Sequence, residues 1–419
     1  MDLLTIITVL IILSAAFSYV NERFIKLPGT IGVVTLSVIL SILLLIAGRT
    51  NSGIARIFTS LAHSIDFSEV LLKVLLGFLL FASAIQFDYY KLKAQRLPVL
   101  LLSTLGVIIS AFAFGGLLYG VTRLLHFELP MIYCLIFGAL ISPTDPIAVG
   151  AILKKSKVPP PLQTIISGES LFNDGLGLIL FVIFLSAAHQ PGQDVPTTSI
   201  LQLFVTEVLG GIGIGLVFGY IGLRLIKSVS NFLTKFLVSL ALVLGISVVT
   251  HHFNASIPLA SVTAGLIIGN GTDNKSHPGN HFLTQAWQLL DEVLNTLLFV
   301  MMGLQLVLMP FLNHYWLIGF FSILIILLAR LISISLPALF LLRRVNFNHL
   351  SILTWAGLRG GISIAMAMSL PDSPYRQTVL SSCYFIVIFS IIIQGLTLNR
   401  VVDKAAKRNT HRKKPLHKA

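Results

Sequence analysis

Long apolar runs, each about the length of a bilayer crossing, are separated by short polar punctuation along the whole chain. A spanning helix needs about 20 mainly apolar residues. The punctuation leaves thirteen such runs, roughly 2–21, 29–48, 67–87, 98–122, 131–153, 161–187, 198–226, 233–250, 257–270, 284–309, 315–342, 350–370 and 377–399. The pattern therefore predicts an all-α polytopic membrane protein with about 13 transmembrane helices. The ninth run is short, and 233–250 could pair with it as a re-entrant hairpin, leaving twelve spans or fewer. The first run begins at Asp2 with no basic segment before it and no small-residue cleavage site after it, so it reads as a retained span.

Composition agrees. Of 419 residues, 55% are apolar and 11% charged, against about 45–50% and about 25% in a soluble domain. Too few charges remain to coat a water-exposed surface, which excludes an ordinary cytosolic enzyme. Lys and Arg number 29 against 16 acids, a formal +13, and their positions explain the excess. With a cytoplasmic C-terminus and an extracytoplasmic N-terminus, the loops predicted inside and the tail hold 22 basic residues, and the outside loops hold only Arg49, Arg56, Arg123 and Arg376. The basicity is topological, and nucleic acid is an unnecessary partner. Residues 401–419 read as a basic cytoplasmic tail, disordered or lying against anionic headgroups. Cys134 and Cys383 sit in apolar runs and read as packing residues.

Ionisable groups at bilayer depth are functional candidates by default, because each costs several kcal/mol unless it faces protein or water. The first cluster is Ser142-Pro143-Thr144-Asp145-Pro146, midway along the fifth run, where two prolines three apart should break the helix. Unpaired backbone at this depth is tolerated only inside protein or along a cavity. The second is Ser167-Gly168-Glu169-Ser170-Leu171-Phe172-Asn173-Asp174-Gly175 in the sixth run. Ser170 and Asp174 share one helix face, and Glu169 and Asn173 the adjacent one. Two carboxylates here cannot both be charged without partners. The third is Gly357-Leu358-Arg359-Gly360-Gly361, a glycine-weakened break in the twelfth run. Lys73, Arg330 and Arg359 are the basic residues within spans, and Arg359 is taken as the counter-charge of Glu169.

The fifth and twelfth runs lie seven apart and so cross the membrane in opposite directions, each interrupted near its centre. This pattern predicts inverted repeats, spans four to six and eleven to thirteen, with broken helices meeting near the midplane around an ion site. Asp145 would offset the positive helix ends there and Arg359 the negative ones.

At these residues the chain resembles the monovalent cation:proton antiporters, in the sodium/proton exchanger branch that includes the NhaP-type proteins. The resemblance spans nearly the whole chain and is carried by Thr144-Asp145-Pro146, by Glu169 to Asp174, and by Gly357-Leu358-Arg359-Gly360. It implies an antiporter fold with a core bundle (about 98–190 and 315–400) and a scaffold or dimerisation part (about 1–90 and 198–309), in a transmembrane domain covering 1–400. It implies that Asp174 binds cation and proton, that Ser170 and Thr144 add oxygen ligands, that Asp145 lines the site, and that Glu169 and Arg359 form a structural pair. A homodimer in the cell membrane is implied, with no cofactor beyond the transported sodium and protons. Asn173 stands where electrogenic relatives carry a second aspartate, which resembles the one-for-one exchangers. One departure is Leu80-Phe81-Ala82-Ser83-Ala84, where relatives often place an acid at the position of Ala82; water or Ser83 would stand in.

Competition at one carboxylate would make such a protein an exchanger. Burial disfavours the charged form, so Asp174 carries either a proton or a dehydrated cation, and the two exclude each other. Sodium is the first expectation, with lithium or potassium as alternatives. The rivals are a cation channel, for which no filter repeat is found, and an intramembrane protease using Asp145 and Asp174. Gly211, Gly215 and Gly219 form a small-residue stripe that means close helix packing or a homodimer contact. Asp291 and Glu292 read as first-turn acids or a gate, and His251 and His252 as residues of an outer loop.

Overall fold

The computed structural model describes residues 3–49, 53–145, 149–150, 153, 156, 158–189, 197–272, 278–309, 316–341 and 347–412. Every regular element among the described residues is a helix, as backbone without water to bond to requires. Ten helices are long and apolar enough to cross a membrane. With the shorter elements between them they run α1 (Leu4–Ile25), α2 (Gly29–Ala47), α3 (Gly53–Ser64), α4 (Phe67–Ile85), α5 (Arg96–Leu124), α6 (Met131–Ile141), α7 (Pro160–Ala188) and α8 (Phe204–Ser228). They continue as α9 (Phe232–His252), α10 (Ile257–Thr272), α11 (Phe282–Leu308), α12 (Leu317–Leu339), α13 (Phe347–Trp355), α14 (Gly361–Met368) and α15 (Arg376–Ala405). Polar caps set several starts. Asp66 accepts from the Glu69 N–H at 2.9 Å before α4, and Asn231 from the Thr234 N–H at 3.0 Å before α9.

Ten of the thirteen expected runs coincide with these long helices. The runs 131–153, 257–270 and 350–370 are represented by shorter ones, α6, α10 and the pair α13–α14. Segment 233–250 is not half of a hairpin, because α9 is a continuous 21-residue helix. His251 and His252 belong to its last turn rather than to a loop. The tail also differs from expectation. The helix of α15 continues to Arg412, and residues 413–419 lie outside the described part.

Small residues let these helices approach closely, as lipid-embedded packing favours. A Cβ on Gly138 of α6 would stand 2.2 Å from the Ala111 carbonyl oxygen of α5, and one on Gly269 of α10 would stand 2.3 Å from that of Ile85 in α4. The glycine stripe of α8 is used in the same way. A Cβ on Gly211, Gly215 or Gly219 would meet Ser256, Ala260 or Ala264 at 2.5–3.0 Å. The stripe is covered by α10 of its own chain, which removes it as a dimer contact. The opposite side of α8 leaves Leu209, Leu216, Val217, Tyr220, Ile221 and Leu225 exposed, an apolar strip suited to lipid.

Candidate functional site

Helix α6 ends at Ile141, and Ser142 to Asp145 continue as buried, non-helical chain. Pro146, the second proline of the expected break, lies outside the described residues. The other break, Ala356 to Gly360, separates α13 from α14. The two breaks cross and satisfy one another. The Asp145 N–H donates to the Leu358 carbonyl at 2.8 Å. Arg359 Nη1 donates to the carbonyls of Ser142 and Pro143 at 2.5 and 2.8 Å, so its charge faces the negative end of α6. The Arg359 N–H is taken by Ser390 Oγ at 2.8 Å, in the widened turn Phe389–Gln394 of α15. Gly360 leaves room for an acid. A Cβ there would lie 2.1 Å from Asp145 Oδ2, and this carboxylate stands at the N-terminal end of α14, where the helix dipole favours negative charge.

Asn173 of α7 grips the first break with both ends of its amide. Its Oδ1 accepts from the Thr144 N–H at 3.3 Å, and its Nδ2 donates to Thr144 Oγ1 at 2.7 Å. Thr144 Oγ1 also shares a hydrogen bond with Ser170 Oγ at 2.7 Å. Thr144, Ser170 and Asn173 are all nearly inaccessible.

The expected pairing of Glu169 with Arg359 is corrected. Glu169 is held by Arg330 of α12 in a bidentate ion pair, Nη1 to Oε1 and Nη2 to Oε2, the latter at 2.8 Å. Two parallel N–H···O contacts suit the planar guanidinium. Arg330 also rests against the second break, since a Cβ on Gly357 would lie 2.6 Å from its Nε. Both arginines serve the breaks, Arg330 by packing against Gly357 and Arg359 through backbone carbonyls.

Asp174 is treated differently. It is 2% exposed, and its Oδ2 is buried without a hydrogen-bond partner, a rare condition that calls for an explanation. A cavity of ≈ 30 Å³ adjoins it, lined also by Thr144, Asp145, Gly360, Ser363 and Asn295, and closed by leucines such as Leu76 and Leu298. That is room for a single water or a dehydrated small cation. The structure thus brings Asp174, Thr144 and Asp145 to one cavity and sets Ser170 one layer behind, bonded to Thr144. Ser363 and Asn295 escaped the sequence reading because neither is ionisable and neither interrupts its apolar run.

A second, wider cavity of ≈ 810 Å³ has Lys26, Gln86, Ser167, Asp291, Glu292 and Asn295 among its lining residues. Three helices order the two spaces in depth. From the end of α7 that starts at Pro160, Ser167 and Leu171 line the wide cavity and Asp174 the small one. On α11, Asp291 and Asn295 line the wide cavity, and Asn295 and Leu298 the small one. On α4, read from its far end, Gln86 and Ser83 precede Leu80 and Leu76. The wide cavity is a funnel that points along these helices toward the small one, and the two share Asn295 in their linings. Ala82 is turned away from it into the cluster around Trp287, whereas Ser83 lines it.

The sodium/hydrogen exchanger transmembrane family model matches residues 9–404. The chain is 39% identical to the Na(+)/H(+) antiporter NhaP of Pseudomonas aeruginosa over 414 residues, covering 96% of this chain and 97% of that one. It is 29% identical to the Na(+)/H(+) antiporter NhaH of Halobacillus dabanensis, covering 95% and 97%. Among solved structures, the sodium proton antiporter MjNhaP1 of Methanocaldococcus jannaschii at pH 8 superposes with a TM-score of 0.78 at 18% identity, over 97% of this chain and 99% of that one. With a family model matched over nearly its whole length and a relative of this identity covered end to end, the chain belongs to the sodium/hydrogen exchanger family of secondary transporters.

Proposed function

We propose that this protein exchanges a monovalent cation, sodium in the first instance, for a proton across the cell membrane, one for one, by competition at Asp174. The observation that carries the assignment is the buried Asp174 Oδ2, which lacks a protein partner while the neighbouring ionisable groups are engaged: Glu169 by Arg330, and Arg359 by the carbonyls of Ser142 and Pro143. A carboxylate with an unfilled oxygen beside a cavity of single-ion size can hold a proton or a bare cation, and either one excludes the other. Thr144 and Asp145 supply further oxygens, and Ser170 and Asn173 position Thr144. The names of the relatives NhaP and NhaH favour sodium; lithium and potassium are distinguished by the assay below.

The packing supports alternating access. The small cavity lies where α6, α7 and α14 of the core part meet α4 and α11 of the scaffold part. Sliding of 98–190 and 315–400 against 1–90 and 198–309 would carry Asp174 from one side to the other, with the protein as a homodimer. The funnel opens toward the loop that contains Lys26 and toward the end of α4 that precedes Lys91 and Lys93, on the side where α7 starts. The positive-inside rule makes this side cytoplasmic, so the conformation is inward-open, with a cytoplasmic C-terminus and an extracytoplasmic N-terminus.

The test is proton movement in sealed proteoliposomes with a pH dye inside, on adding sodium, lithium or potassium under clamped voltage. Cation-dependent flux that is indifferent to voltage and lost in Asp174→Asn is the expected result. Full activity of the Asp174→Asn variant overturns the assignment, and cation currents without proton coupling would make the protein a channel.

A further inference from the structure

Asn295 lies on α11, thirteen residues from Phe282, or roughly 20 Å along a helix rising about 1.5 Å per residue. It is 3% exposed. Its Nδ2 donates backward along its own helix to the Asp291 carbonyl at 2.7 Å and to Asp291 Oδ1 at 2.9 Å. Two acceptors on one side fix which end of the amide is nitrogen, because the flipped amide would set oxygen against oxygen. Oδ1 is thereby aimed away from Asp291, and it is buried with no hydrogen-bond partner. Asn295 also lines both the funnel and the small cavity beside Asp174. A buried amide oxygen left unpaired costs about 1–3 kcal/mol, and an asparagine serving only the α11 backbone has no reason to present it at this neck.

Resting on the assignment of Asp174 as the ion carboxylate, we propose that Asn295 Oδ1 is a relay ligand for the monovalent cation, replacing one water of hydration as the ion passes from the funnel to Asp174. The neck needs a neutral oxygen donor. A carboxylate there would hold the cation short of Asp174, and an apolar side chain would demand dehydration with nothing in exchange. Asp291 is the positioning residue, keeping the amide oriented; Asn295 touches the cation and takes no part in proton binding.

The experiment compares wild type, Asn295→Leu, Asn295→Ala and Asn295→Asp in vesicles of defined orientation, with sodium supplied from one side at a time. Removal of the oxygen should raise the apparent KM for sodium offered from the funnel side about tenfold, the effect of one charge-assisted contact. The KM from the opposite side and the pH profile should change little, and Asn295→Asp, which keeps an oxygen but holds the cation at the neck, should recover apparent affinity from the funnel side while lowering the maximal rate. A purely structural asparagine would lower the melting temperature and the maximal rate without this asymmetry between sides. If Asn295→Leu fails to fold, Asn295→Ala reads the same difference. Wild-type KM from both sides in a folded Leu or Ala variant overturns the relay. Asp174→Asn in the same vesicles separates the two claims: lost exchange there with wild-type behaviour at Asn295 leaves Asp174 standing and removes only the relay.

Discussion

The Glu169–Arg330 pair offers a sharp test of how the core is held. Its side chains are 1% and 6% exposed and meet through both guanidinium nitrogens and both carboxylate oxygens. Removing one partner of a buried ion pair costs about 3–5 kcal/mol, because the other charge stays buried and alone, whereas replacing both by apolar residues of similar volume is often neutral or better. Arg330→Met should therefore destabilise by about 3–5 kcal/mol, and Glu169→Leu by at least as much. The second change leaves the Arg330 guanidinium buried and unpaired, and an arginine cannot shed its charge as a carboxylate can. The double variant should return near wild type.

At about 2 °C per kcal/mol for a large chain, each single change should lower the melting temperature in detergent by roughly 6–10 °C, and the double change by a few degrees at most. A parallel cycle with Glu169→Leu and Arg359→Met should show much weaker coupling, because Arg359 holds the carbonyls of Ser142 and Pro143 instead. Thermal unfolding followed by intrinsic fluorescence gives all the values. A Glu169–Arg359 coupling larger than the Glu169–Arg330 one would refute the assignment of partners, as would strictly additive losses at 169 and 330.

Two further outcomes follow from close approaches. Gly360→Ala keeps an allowed backbone, with φ at −128°, yet its methyl would overlap Asp145 Oδ2 at 2.1 Å; a cost of about 1–3 kcal/mol and a weakened apparent sodium affinity are expected in melting and flux assays. Gly215→Leu would drive a side chain into the Ala260 carbonyl at 2.5 Å; lost yield and a lower melting temperature are expected, with the same oligomeric state as wild type by light scattering, because this face packs within one chain.

Most of the architecture was legible because the bilayer leaves few options. Apolar length sets the helices, and prolines and glycines at depth set the breaks. The crossing of Ser142–Asp145 with Leu358–Gly360 was readable for the same reason. The partner of Glu169 was not. Arg330 and Arg359 are both buried basic residues on core spans, and the sequence pattern that singled out Arg359, its glycine neighbours, reports backbone geometry rather than charge pairing. Gly357 is needed partly because Arg330 lies against it, so the motif recorded both arginines while naming one. The helix in the tail was not legible because its basic composition suits solvent as well as a helix continuing from α15.

The same distinction accounts for Ser170 and Asn295. Ser170 shares a face with Asp174 by helical spacing, but a shared face does not decide what each side chain touches, and the Thr144 hydroxyl lies within reach of Ser170 first. Spacing along one helix can align groups; only packing between helices decides which oxygens are already engaged. Asn295 lies on another helix, with no motif around it, and becomes conspicuous only when the acceptors of its amide nitrogen are counted and its oxygen is left over. Under the proposed assignment, the two unpartnered oxygens on residues lining the small cavity, Asp174 Oδ2 and Asn295 Oδ1, would mark the path of a desolvated cation, because a passing ion can use only oxygens that the fold has not already engaged.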